Sequence, residues 1–102
     1  MSTLHTVNKS PFSHATISSC LDVCGNSDGI LLLENGVFGG MESAPCADKL
    51  TTLIQSGVKV YALSGDVKAR GLQDKLRKDI IVTDYNGFVQ LSIEHKCVQS
   101  WY

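Results

Sequence analysis

No apolar run in this chain approaches the roughly 20 residues that a membrane span requires, and its opening MSTLHTVNKSPF lacks the apolar core of a secretory signal. The four cysteines, Cys20, Cys24, Cys46 and Cys97, include no CxxC pair, so the spacing writes no zinc knuckle. The expectation is a cytoplasmic protein with reduced thiols and no metal. Neither sign of charge is in excess: the formal net charge of -1 supplies no broad attraction to phosphate backbones or anionic membranes. A GxSxG elbow, an HExxH pair, a dinucleotide fingerprint and a P-loop are all missing, which argues against serine or metal hydrolysis and against a nucleotide cofactor. There is no internal repeat, low-complexity segment or linker, so residues 1–102 read as one domain. A composition of 43% hydrophobic and 19% charged residues lets such a domain build its core without disulfides.

What is present is organised around DGILLLENGVFGG, residues 28–40. Ile30 to Leu33 is an unbroken apolar run between Gly29 and Glu34-Asn35-Gly36, the pattern of a strand buried on both faces. Val58 to Leu63 and Ile80 to Val82 have the same continuous character, and amphipathic segments lie between them. The predicted fold is therefore α/β, a single three-layer domain with a small, mainly parallel sheet flanked by helices. Binding or chemistry in such folds collects at the carboxyl ends of the strands.

Thr3 to Val7 is predicted to form a first strand, followed by a turn at Asn8 to Pro11. Ser13 is the expected cap of a helix running to about Cys24, because Ile17, Cys20, Leu21 and Cys24 share one helical face. Val37 to Met41 is a short helix or structured loop. Pro45 opens a helix with the apolar stripe Leu50, Leu53 and Ile54, which Gly57 ends. Asp66 is the expected cap of a short helix ending near Gly71, and Asp84 of a last helix through about His95 with Phe88 and Leu91 inward. Lys96 to Tyr102 is too short to form another layer, and Trp101 and Tyr102 look exposed unless they dock internally or on another subunit.

Cys20 is the chemical candidate. A thiolate on the first helix could receive sulfur as a persulfide, while the same spacing suits a buried thiol filling core volume. Cys24 reads as structural. Cys46 stands near a helix start without a partner base, and Cys97 is an accessible thiol. His5, His14 and His95 read as structural or surface histidines. Asp66, Lys68 and Arg70 form a charged turn after a strand, able either to orient a partner or an anionic group or simply to cap and solvate a helix.

The fragments Leu4 to Phe12, Leu31 to Gly36, Tyr61 to Leu63, Asp66 to Gly71, Asp84-Tyr85 with Phe88-Val89, and Gln99 to Trp101 together span essentially the whole chain. In that order they resemble the DsrH/TusB family of sulfur-relay proteins. The resemblance implies a DsrE-like fold and a subunit of a heterohexamer with two related partners. In one branch TusC-like and TusD-like subunits pass persulfide sulfur toward 2-thiouridine at the tRNA wobble position. In the other, DsrE-like and DsrF-like subunits serve dissimilatory sulfur oxidation. A small sulfur-carrier protein lies downstream, and tRNA is reached only indirectly. The principal sulfur-accepting cysteine belongs to the TusD or DsrE type, so the resemblance implies a supporting subunit of a sulfurtransferase complex. Within it Cys20 is expected to be an auxiliary sulfur site or a partly buried structural thiol, with Trp101 and nearby apolar residues contributing to packing. Cys20 matches the first-helix cysteine of DsrH-like members, which leans toward sulfur oxidation. Cys24, Cys46 and Cys97 match no family motif. A non-catalytic scaffold or inhibitor, or a stand-alone small-molecule-binding domain using the strand-end loops, are the alternatives.

Overall fold

In the computed structural model, which describes residues 2–102, the apolar run of residues 30–33 lies in the middle of a five-stranded sheet. The strands are β1 (Thr3–Val7), β2 (Gly29–Leu32), β3 (Lys59–Leu63), β4 (Ile81–Thr83) and β5 (Cys97–Trp101). Their spatial order is β4-β3-β2-β1-β5, and every pairing is parallel. The connections carry α1 (Thr16–Val23), a 3-10 segment (Glu34–Gly40), α2 (Ala47–Gln55), α3 (Ser64–Ala69) and α4 (Tyr85–Glu94).

This order fixes the layers. From β1 to β4 the chain steps repeatedly in one direction, and right-handed crossovers therefore place α1, α2 and α3 on one face of the sheet. The last crossover runs back past β1 to β5, so α4 covers the opposite face. The core divides accordingly. Ile17, Cys20, Leu21, Leu50 and Val67 pack with Val7, Ile30, Leu32, Val60 and Ala62 on the first face. Leu91 and Phe88 pack with Leu4, Leu31, Leu33 and Tyr61 on the second. Every residue of β2 is buried, as its lack of alternation predicts, and each fully buried leucine there contributes about 1.5–3 kcal/mol.

Three expectations are corrected. Residues 96–102 contain a fifth strand: β5 pairs with β1 from Thr3↔Cys97 to Val7↔Trp101. It is an edge strand with mostly exposed side chains, so it has no apolar run to announce it. The segment around Ile80 to Val82 is not buried on both faces, because β4 closes the other edge and leaves Ile81 and Val82 about half exposed. Neither Ser13 nor Asp66 is a cap. The carbonyl of Ser10 accepts the amides of Ser13 (3.3 Å) and His14 (3.0 Å), closing a turn that delays α1 to Thr16. Helix α3 starts already at Ser64, placing Asp66 inside its first turn. Asp84 does cap α4, accepting the Gly87 amide at 2.8 Å.

The charged connection before β4 is pinned to α2 by Arg77, which donates to the Ala47 carbonyl at 2.9 Å and to Thr51 Oγ1 at 2.7 Å and pairs with Asp79 at 2.9 Å. On the outside, Tyr85, Val89 and Ile93 follow one another at single-turn spacing along α4 and are 68%, 40% and 70% exposed. Among the described residues, no helix is long and apolar enough to cross a membrane.

Candidate functional site

The thiols occupy unlike environments. Cys20 points from α1 into the core and has no exposed surface. Burial, followed by the nearby Cys24 and Asp28, pushes its thiol up to about 12. Cys24, just beyond α1, is half-buried, and burial with Asp28 raises it to about 11. Cys46 immediately precedes α2, but it lies under the 3-10 segment with its Sγ donating to the Gly39 carbonyl at 3.9 Å. Burial raises it against the opposing pull of its own backbone amide and Arg77. Cys97 is exposed on β5. Thiolates are the nucleophilic form, so the folded chain keeps Cys20 protonated and out of reach at neutral pH.

Beside Cys20 and Cys24 lies a polar group that sequence reasoning missed. The parallel pairing of β1 with β2 brings His5 and Thr3 over Asp28, the residue just before β2. Asp28 Oδ1 accepts the Thr3 amide at 2.9 Å, and Oδ2 accepts the Gly25 amide at 3.0 Å and His5 Nε2 at 2.9 Å. Burial opposes ionisation of Asp28, but these donors outweigh it and hold the carboxyl below its ordinary range. On the other side of the ring, Trp101 Nε1 donates to His5 Nδ1 at 3.1 Å. An indole nitrogen can only donate, so Nδ1 must accept, and the proton of the neutral imidazole sits on Nε2, facing Asp28. Trp101 is thus internally docked, as one of its two expected roles required. The only signal in the sequence was its indole, which when buried needs a partner.

A second cluster forms where β2 and β3 end. Glu34 has a φ of 50°, a left-handed conformation uncommon for a residue with a side chain. Its amide donates to Asp66 Oδ2 at 2.7 Å, a charge-assisted bond. Arg70 Nε donates to Asn35 Oδ1 at 2.9 Å, and its guanidinium lies 3.6 Å from Asp66. Gly36 follows directly, and a Cβ there would collide with the Val7 carbonyl oxygen. Asp66 and Arg70 therefore have partners within the chain, whereas Lys68 is exposed and has the freedom to meet another molecule. The structure brings Asp66 and Arg70 together, and places Cys20 and Trp101 in the separate neighbourhood of His5.

Cys46 and Cys24 each line a surface cleft. One, of about 490 Å³, lies between the starts of α1 and α2, lined by Phe12, His14, Ser18, Cys46 and Lys49. The other, of about 390 Å³, runs between α1 and α2 with Cys24 on its wall.

A family model described as DsrH like protein matches residues 9–98. Protein TusB of Escherichia coli (strain SMS-3-5 / SECEC) is 37% identical over 98 residues, covering 96% of this chain and 99% of the relative. Protein TusB of Pectobacterium parmentieri is 34% identical over the same length and coverage. The crystal structure of the ychN protein from E. coli superposes with a TM-score of 0.84 over 98% of this chain and 99% of that one, at 14% identity. A protein of unknown function from Methanobacterium thermoautotrophicum gives 0.75 over 97% of each chain at 17% identity. The two superpositions show the shared fold, and the family match over most of the length shows more: this chain belongs to the DsrH/TusB family.

Proposed function

We propose that the chain is a supporting subunit of a cytoplasmic sulfur-relay complex, in which persulfide sulfur is carried by a related partner and not by Cys20. Membership of the DsrH/TusB family supports the relay setting. The observation that carries the supporting role is the sealing of Cys20, which has no exposed surface and a thiol pushed up to about 12. A carrier must take sulfur from one partner, its thiolate attacking the donor's outer persulfide sulfur as the donor thiolate leaves, and then yield that sulfur to the attacking thiolate of the next, which requires access and a thiolate. The partners are DsrE-like and DsrF-like, or TusD-like and TusC-like, subunits assembled as a heterohexamer, with a small sulfur carrier downstream. The exposed row Tyr85, Val89 and Ile93 on α4 offers such a subunit an apolar surface. With a net charge of -1 the chain has little electrostatic hold of its own on tRNA, which supports an indirect link made through the complex.

Two features pull toward different branches. A cysteine at position 20 favours sulfur oxidation, and relatives named TusB favour 2-thiouridine formation. Measuring 2-thiouridine in tRNA from a strain lacking the chain separates them: loss supports thiolation, and a normal level supports oxidation.

The role itself is tested by co-purifying the chain with its partner subunits, exposing the complex to a persulfide donor and mapping the sulfur by mass. Loading confined to the partner is the expected result. A reductant-sensitive gain of one sulfur, about 32 Da, at Cys20 would sink it.

A further inference from the structure

We propose that His5, Cys24 and Asp28 form a binding site for a zinc-class divalent cation, filled in competition with the hydrogen bond from Trp101 to His5. A ring nitrogen of His5, Cys24 Sγ and a carboxylate oxygen of Asp28 all lie within 4.8 Å of one another. In a tetrahedral zinc site with bonds of about 2.0–2.3 Å, neighbouring ligand atoms stand about 3.3–3.8 Å apart, so the cluster needs to contract by only about 1 Å. His5 Nε2 and Asp28 Oδ2, 2.9 Å apart across their hydrogen bond, instead open by about 0.4 Å as the ion replaces the shared proton. The donor set of imidazole, thiol and carboxylate suits zinc and leaves a fourth position open, unlike the all-oxygen shells of magnesium and calcium.

The surroundings supply what a metal site needs besides ligands. Asp28 is held by the amides of Thr3 and Gly25, so its carboxylate stays oriented if His5 changes partner. Cys24 borders the open groove between α1 and α2, which gives an ion a route in from solvent. The ligands come from β1, the end of α1 and the approach to β2, so their sequence spacing carries no knuckle signature.

One contact opposes binding, and it makes the proposal specific. To ligate through Nε2, His5 must move its ring proton to Nδ1, by exchange with solvent. Nδ1–H then faces the Trp101 N–H, donor against donor at 3.1 Å, and the indole has to turn away. Cys24 loses its thiol proton to solvent and Asp28 is already a carboxylate, so one proton leaves for each cation bound.

The test uses Zn²⁺ alone on the full chain carrying Cys97→Ser, which removes the exposed thiol. Trp101 is the single tryptophan, so its fluorescence reports the event directly. The expected result is a saturable change at one equivalent, reversed by a chelator, accompanied by proton release and not reproduced by Mg²⁺. Cys24→Ser, at a half-buried position, weakens binding tenfold or more. Trp101→Phe tightens it in competition with a chromogenic chelator, which a merely structural tryptophan would not do. Co²⁺ on the chain with Cys24 intact supplies a check independent of that variant, a thiolate-to-metal charge-transfer band. Absence of one-to-one binding tighter than about 10 µM, or binding unmoved by Cys24→Ser, overturns the site. Unchanged affinity in Trp101→Phe overturns the competition.

Discussion

Trp101 and His5 are joined by a 3.1 Å hydrogen bond across 96 positions of sequence, and that bond sets the tautomer through which His5 reaches Asp28. Removing the indole donor leaves a buried ring nitrogen without a partner. Trp101→Phe should therefore cost about 1–3 kcal/mol in urea unfolding followed by circular dichroism. A change within about 0.5 kcal/mol would mean that water replaces the indole and that the bond has no hold on the fold.

The burial of Cys20 makes its reactivity a measure of folding. An alkylating reagent at neutral pH should modify Cys97 first and Cys20 only at the rate of global opening. Cys20→Ser should destabilise by about 1–3 kcal/mol, since it puts a hydroxyl among Ile17, Leu21 and Ile30, whereas Cys20→Ala should cost less. Rapid modification of Cys20 in the native protein would contradict both expectations.

Stability should fall at both ends of the pH scale, for opposite reasons. Asp28 has a folded-state value below its ordinary 3.8, so its contribution is complete above that value and is lost as pH drops through the lower folded one. The Cys20 and Cys24 thiols ionise near 9.0 when unfolded but near 12 and 11 when folded. Unfolding therefore releases protons above pH 9.0, and stability declines from there toward 11 and 12. Urea midpoints measured between about pH 3 and pH 11 would show both limbs. Asp28→Asn should flatten the acid limb and a Cys20→Ala, Cys24→Ala pair the alkaline one.

The loop after β2 holds Glu34 in left-handed geometry against the Asp66 carboxylate. Glu34→Gly should be neutral or stabilising by up to about 1 kcal/mol, because glycine adopts that geometry without strain. Asp66→Ala should lose about 1–2 kcal/mol by leaving the Glu34 amide untied. Equal losses from both substitutions would refute the strain argument.

The outer row of α4 is separable from folding. Ile93→Lys should leave the isolated chain within about 0.5 kcal/mol of the parent, since Ile93 is 70% exposed. In the presence of the partner subunits it should abolish co-elution. Undiminished co-elution would move the docking surface elsewhere on the molecule.

The central sheet was legible because DGILLLENG has a run only a doubly buried strand explains, and Asp84 because capping is a local interaction. The rest depended on contacts between distant residues. Cys97 to Trp101 becomes a strand only because β1 offers it an edge, and Asp28 passes for a turn residue until β1 lays Thr3 and His5 across it. Ser13 misled for the converse reason: a nearby carbonyl, that of Ser10, claimed the turn that the cap would have begun.

The position of β5 also orders events during synthesis. β1 consists of residues 3–7, yet one of its two neighbours in the sheet is residues 97–101. While the intervening chain emerges from the ribosome, β2, β3 and β4 can assemble on one side of β1, but its other edge stays unpaired until the final crossover is made. A nascent chain paused before residue 97 therefore presents a row of open backbone donors and acceptors, a template for wrong pairing with a neighbouring chain.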